Sequence, residues 1–305
     1  MLRTAERTDS INVAQNRRNS MTTNSYCSIN AGGRLIELSQ PMVMGILNVT
    51  PDSFYENSRQ EQEADIAQRA RQIVDEGGLI IDIGAYSTRP GATVVSVEEE
   101  CRRLRHALSV VKRVVPDTII SVDTFRADVA RMCIEEFGVH IINDVSGGQA
   151  DRNMLKTIAR LNVPYVLTHA PNFAPNAAQA DTTDVVRHAF LFFAERVNRL
   201  HDAGVNDVVL DPGFGFGKTL EQNYTLMQHL QELHEFALPI LVGVSRKSMV
   251  YRLLGTEADN ALNGTTALHA IALEKGAHLL RVHDVKAACE VVKIHRQLHT
   301  TYNTL

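Results

Sequence analysis

The chain has 305 residues, 44% of them hydrophobic and 22% charged, the make-up of a folded domain with a large core. A net charge of -4 leaves no global basic field for nucleic acid or an anionic membrane, so any anion site has to be a local cluster. No apolar run approaches the roughly 20 residues that span a bilayer, residues 1–20 lack the apolar centre of a signal peptide, and a cytoplasmic protein is expected.

Residues 1–33 are polar and carry no apolar periodicity, which predicts a disordered or loosely packed N-terminal tail ahead of a folded unit at 34–305. From Val43 onward, short runs rich in β-branched residues alternate with longer amphipathic stretches. The runs are VMGILNVT (43–50), LIIDIGA (79–85), TIISVDT (118–124), VHIINDV (139–145), VPYVLTH (163–169), DVVLDPG (207–213), PILVGVS (239–245) and HLLRVHD (278–284). Near-continuous apolar runs of this length suit parallel strands covered on both faces, and the intervening stretches have helical spacing. Gly77, Gly138, Gly204 and Gly276 each stand between a helical stretch and the next strand, where a left-handed C-terminal cap is needed. Eight βα units over about 250 residues predict a single closed (β/α)8 TIM barrel rather than a doubly wound sheet. Cys27, Cys101, Cys133 and Cys289 are scattered without a CxxC pattern and are expected to be free thiols.

In such a barrel the chemistry lies at the carboxyl ends of the strands, which here carry Asn48, Asp82, Asp123, Asn143, His169, Asp211, Lys247, Arg281 and His283. Helix capping and turn formation account for Asp144, Ser146 and Asp284 one at a time, but capping does not call for Lys, Arg and His at the same rim. Asp123, Asn143, Asp211 and Lys247 offer two carboxylates, an amide and a cation, a set that suits the amino and N-H edge of a pterin or guanine ring. Asp123 is also open to an internal ion pair with Lys247 or Arg126. Arg89, in STRPG, joins Arg281 and a His283 imidazolium as candidate anion binders. Asn48 and the hydroxyls after it could orient a phosphate-bound Mg2+. The run PGFGFGKT (212–219) falls one residue short of a phosphate loop, because Pro212 stands where its first glycine belongs. Its glycines either serve a purely structural tight turn or let backbone approach a flat ligand, with Phe214 or Phe216 as an apolar wall.

The segments MGILNVTPDSF, DIGAYSTRPGA, SVDT, IINDVSGG, DPGFGFGKTLEQNY, VGVSRKS and RVHDV, in this order, resemble the dihydropteroate synthase family of folate biosynthesis. The resemblance implies a (β/α)8 barrel, usually a homodimer, that joins 6-hydroxymethyl-7,8-dihydropterin pyrophosphate to 4-aminobenzoate. It also implies residue roles. Asp123, Asn143, Asp211, Phe216, Gly217 and Lys247 would hold the pterin. Asn48, Arg281 and His283 would take the pyrophosphate, with Mg2+ on Asn48. Phe54, Thr88, Arg89, Pro90, Lys247 and Ser248 would shape the aminobenzoate pocket, and Asp123, Lys247, Arg281 and His283 would act in catalysis. The chain departs from the family at Tyr55–Ser58, where Ser-Asp-Gly-Gly is common, and at Ala85-Tyr86 and Thr168-His169. A pterin-dependent methyltransferase would share the Asp-Asn-Asp set but has no reason to keep STRPG and SRKS together. A non-catalytic pterin-binding paralogue would be expected to lose Asn48, Arg89, Lys247 or His283, and the chain keeps all four.

Overall fold

The computed structural model describes residues 27–49, 59–86, 95–171, 173 and 184–301. Ten strands are present among them. Strands β1 (Ser28–Ala31) and β2 (Arg34–Glu37) form an antiparallel hairpin, and the other eight form one parallel sheet. These are β3 (Met42–Asn48), β4 (Ile80–Gly84), β5 (Ile119–Asp123), β6 (Ile141–Asp144), β7 (Tyr165–Thr168), β8 (Val208–Asp211), β9 (Leu241–Val242) and β10 (Leu279–Val282). Spatial order around the ring follows chain order: β10 pairs with both β9 and β3, and a parallel bridge from Leu210 to Ile240 joins β8 to the start of β9 and closes the ring.

The helices surround this ring. They are α1 (Arg59–Asp75), α2 (Val97–Val114), α3 (Ala127–Phe137), α4 (Met154–Leu161), α5 (Val185–Asp202), α6 (Leu220–Gln228), the short α7 (Ser248–Tyr251), α8 (Leu262–Glu274) and α9 (Val285–Thr301). Helix α2 shows why these segments are helical: Ser96 caps it by accepting from the Glu99 amide, Glu98 to Glu100 lie at its positive end, and Lys112 and Arg113 at its negative end. The four glycines expected to cap helix ends have φ of 97°, 57°, 88° and 85°, as the spacing predicts.

The barrel interior is layered. Met44, Ile80, Ile119, Ile141, Val166, Val209, Leu241 and Leu279, one from each strand, form an apolar floor together with Ile29, Ala31, Ile36 and Leu38. Side chains on a strand alternate, so two residues further on the same face reappears. Those positions are Ile46, Asp82, Ser121, Asn143, Thr168, Asp211, Gly243 and Arg281. One step of the pleat takes the interior from hydrocarbon to polar groups.

Within the segment read as tail, Ser28–Ala31 form β1, and its Ile29 and Ala31 join the barrel floor. Gly32 and Gly33, both with positive φ of 63° and 84°, make the two-residue turn, so that Ile29, Ala31 and Ile36 face inward. The four cysteines are free, as expected.

Candidate active site

Parallel register brings the site residues to one height. Asn48 is opposite Gly84, Gly84 opposite Asp123, and Asp123 opposite Asn143. Gly84 lies between two functional side chains: a Cβ there would come 3.5 Å from Asn48 Oδ1 and 3.6 Å from Asp123 Cβ.

Arg281 is the hub of the interior. Its Nε donates to Asp82 Oδ2 at 2.6 Å, and one terminal nitrogen donates to Asp123 Oδ2 at 2.7 Å. Asn143 Nδ2 donates to the same Asp82 oxygen at 3.0 Å. Asp82 is fully buried, and its other oxygen, Oδ1, has no partner among the described residues. Asp123 therefore pairs with Arg281 rather than with Lys247 or Arg126; Arg126 is taken by Glu100 at 2.7 Å and by the Val95 carbonyl. Burial raises the Asp123 carboxyl above the usual range, with Arg281 opposing. For Arg281 burial works against the charge, but Asp82 and Asp123 outweigh it and hold the guanidinium charged.

Across the barrel, Asp211 is raised by burial and lowered by Lys247. One Asp211 oxygen accepts from the Gly213 amide at 2.7 Å, fixing the start of the glycine-rich turn. Lys247 Nζ donates to the Phe214 carbonyl at 2.6 Å and stands 4.4 Å from the centroid of the Phe216 ring. Burial lowers Lys247 to about 8. Phe214 is fully buried in the outer core, so Phe216 is the aromatic group available to a ligand. A Cβ on Gly213 would sit 2.1 Å from the His169 carbonyl, so the turn is compressed against the end of β7. Thr219 and Gln222 form a capping box that ends the turn and starts α6.

The sequence reading assigns no role to Lys218, which holds this turn from below. Its Nζ donates to the carbonyls of His169 and Gly213 at 2.7 Å each and of Phe216 at 3.2 Å. Burial lowers Lys218 to about 7, with Asp211 pulling it back up. Arg246 is a second unassigned anchor. It has a positive φ of 55°, and its guanidinium grips Asp284 at 2.9 and 2.6 Å, fixing the backbone on either side of Lys247 and His283.

On the outer side of β3 and β10, Asn48 and His283 share a cleft of about 680 Å3 with Arg69, Arg246 and Lys286 and with the acids Glu76, Asp284 and Glu290. Arg69 donates to the His283 carbonyl at 2.6 Å and to the Ile46 carbonyl at 3.2 Å, tying α1 to both strands. His283 differs from expectation in its charge. Burial, then Arg281 and Arg246, lower it to about 4, so the ring is a neutral imidazole at neutral pH and not an imidazolium. Asn48 is exposed and Ser248 half-buried at the start of α7. Phe54, Thr88, Arg89 and Pro90, and Tyr55 to Ser58, lie outside the described residues.

The expected turn roles hold for Asp144, which accepts from the amides of Ser146 and Gly148 at 2.7 and 2.9 Å and from the Tyr165 hydroxyl at 2.6 Å. His169 is packed with its Nε2 2.9 Å from His188 Nδ1 and is held neutral by burial at about 2.

Residues 44–283 match the sequence family described as pterin binding enzyme. The chain is 41% identical over 271 residues to the dihydropteroate synthase of Escherichia coli strain K12, covering 87% of this chain and 94% of that one. It is 38% identical over 270 residues to the Streptococcus pyogenes dihydropteroate synthase, covering 87% and 98%. The crystal structure of dihydropteroate synthase from Thermus thermophilus in complex with 4-aminobenzoate is similar with a TM-score of 0.78 at 38% identity, covering 89% of this chain and 99% of that one. A structure of Xanthomonas albilineans dihydropteroate synthase with 4-aminobenzoic acid gives a TM-score of 0.78, also at 38% identity, covering 89% and 98%. The chain belongs to the pterin-binding enzyme family, among the dihydropteroate synthases.

Proposed function

We propose that the chain condenses 6-hydroxymethyl-7,8-dihydropterin pyrophosphate with 4-aminobenzoate, releasing dihydropteroate and pyrophosphate. The observation that carries the reading is the polar end of the barrel above the apolar floor, where Arg281 binds Asp123 and, through Asp82, is joined to Asn143, and where Asp211, Arg281 and Asp123 all act on Lys247. The carboxylates and the Asn143 amide take the amino and N-H edge of the pterin, the Lys247 ammonium donates to its carbonyl side, and Phe216 and Gly217 cover one face.

The reaction breaks the C-O bond between the pterin methylene and pyrophosphate and forms a C-N bond to the aniline nitrogen, which loses a proton. Positive charge develops on the methylene as the C-O bond stretches, and the carboxylate of Asp123 stabilises it. Arg281 keeps Asp123 aimed. His283, Asn48 and Arg281 receive the leaving pyrophosphate, and a neutral His283 does so as a hydrogen-bond donor. Phe54, Thr88, Arg89, Pro90 and Ser248, with Lys247, are assigned to 4-aminobenzoate. No protein nucleophile is needed.

Mg2+ fits this end of the site, because it prefers oxygen, keeps several waters and asks for few protein ligands, and the exposed Asn48 amide offers one oxygen. When bound it would neutralise charge on the departing pyrophosphate. A homodimer is proposed too, supported by exposed Leu253, Leu254, Leu262, Ile271, Ile294 and Leu298 on the last helices and the loop before them. Sedimentation giving a monomer at micromolar concentration would remove that assignment.

The test of the activity is incubation with pterin pyrophosphate, 4-aminobenzoate and Mg2+. Dihydropteroate and pyrophosphate in equal amounts are expected. Pterin binding without product would make the chain a binding paralogue.

A further inference from the structure

Away from the site, on the outer surface, Glu274 ends α8 beside His295 and His299 of α9. The two histidines are four residues apart, so they project from one face of the helix. Both turn the same nitrogen to the same atom: His299 Nε2 lies 3.3 Å and His295 Nε2 3.7 Å from Glu274 Oε1. All three ligand atoms lie within 4.8 Å of one another, and the imidazole centroids are 4.3 Å apart with planes tilted by 48°.

His299 Nε2 is within hydrogen-bond range of Glu274 Oε1, whereas His295 Nε2 stands just outside it, in ion-pair range. His295 Nδ1 is buried without a partner among the described residues. With an ion on Nε2, each neutral ring carries its proton on Nδ1, the arrangement common to metal-bound histidines. The separations also fit. Tetrahedral ligands about 2.05 Å from a zinc ion are about 3.3 Å apart, close to the two distances found here.

We propose that Glu274, His295 and His299 form a surface site for Zn2+ or a similar late first-row divalent ion, which clips the end of α8 to α9. Two imidazoles and one carboxylate make a borderline donor set that selects against Mg2+ and Ca2+, so the site is chemically separate from any Mg2+ used in catalysis. Three protein ligands leave a fourth position to water. The clip joins the last two helices where Glu274 and His299 are exposed and His295 is mostly buried.

The test uses the full chain without a histidine tag, stripped with EDTA and titrated with Zn2+ in a calorimeter. One equivalent is expected to bind and to raise the melting temperature. Loss of even an outer hydrogen-bond partner weakens metal binding by about 10 to 100-fold, so His299→Ala and Glu274→Gln, which remove ligands from exposed positions, should each weaken it by at least about tenfold. Both variants should keep the wild-type rate of dihydropteroate formation, which shows that they are folded. Mg2+ should produce neither heat nor stabilisation at this site. Failure of the wild-type chain to bind an equivalent of Zn2+, or equal Zn2+ affinity in the wild type and the His295→Asn/His299→Asn double variant, would overturn the proposal.

Discussion

The floor and the polar layer of the barrel are built on the same eight strands, one pleat step apart, yet they obey opposite rules. In the floor, Ile80, Ile119, Ile141 and Leu279 pack against the hairpin side chains Ile29 and Ile36, and every atom contributes by leaving water. At the polar end above, formed by the polar layer with Asp123 at the tip of β5 and Lys247 in the loop after β9, Asp82 is fully buried with one oxygen unpartnered among the described residues, Asp123 and Asp211 are pushed up by burial, and Lys247 is pushed down. Those groups are held at a cost in stability, and they are arranged to be completed by a ligand. The strands supply rigidity from below and lend it to charges that could not hold their positions alone.

The sharpest way to break this comparison is to remove the hub. Arg281→Met leaves Asp82 and Asp123 without their shared cation, and breaking a buried pair in this way typically destabilises by about 3 to 5 kcal/mol. Urea unfolding should show that loss together with abolished turnover. Adding Asp82→Asn should recover part of the stability and none of the activity. A hub variant as stable as the wild type would mean the pairs are not buried in solution.

The matching change in the floor is Ile36→Ala. It opens a cavity between the hairpin and the strands, and such truncations cost about 2 to 5 kcal/mol. Stability should fall while the Michaelis constants of the remaining folded enzyme stay put, since no floor residue touches substrate. A raised Michaelis constant for the pterin substrate would show that floor and site are not separable.

Lys247→Gln moves to the site itself. Loss of a charge-assisted hydrogen bond is worth about 1.5 to 3 kcal/mol, so the rate should drop by at least about tenfold. The pH profile sharpens the point. Lys247 sits near 8, well below a free lysine, and the donor to the pterin is the ammonium. Activity should therefore fall as pH rises through about 8 in the wild type, and this limb should vanish in the variant.

Lys218→Met tests the strut beneath the turn. It takes a donor from three carbonyls, of which that of Gly213 keeps the Phe216 amide, a loss of about 1 to 3 kcal/mol, and should raise the pterin Michaelis constant more than it lowers kcat, because the turn carrying Phe216 and Gly217 loses its anchor. The smallest effect is expected for a chain starting at Met21, since the described packing of the floor begins at Cys27, whose carbonyl accepts from the Leu38 amide. Melting temperature and rate should match those of the full chain.

What can be read in advance follows from range. The βα beat and the glycine caps are local patterns, and they appear where the spacing puts them. The hairpin escapes the sequence reading because its strands have four residues each and only Ile29, Ala31, Ile36 and Leu38 face the floor; the available signal is Gly32-Gly33 between two short alternating runs. Asp82 is visible as an acid inside an apolar strand, but its partner Arg281 is 199 residues away, and no spacing rule connects them. Lys218 is masked by its setting in a run that imitates a phosphate loop. His283 is legible as a rim residue, whereas its neutral charge depends on burial and on Arg281 and Arg246, which only the fold brings near it.

The central claim is that the polar layer exists for the pterin and not for the fold. Asp211→Asn tests it most directly, because the amide keeps an oxygen for the Gly213 amide and removes the charge that faces the ligand and Lys247. Calorimetric titration with 6-hydroxymethylpterin pyrophosphate should show affinity reduced about 10 to 150-fold, the loss of about 1.5 to 3 kcal/mol expected for a hydrogen bond to a charged group, while the melting temperature of the free protein holds. Unchanged affinity, or a collapse in stability with affinity retained in the folded fraction, would contradict the account.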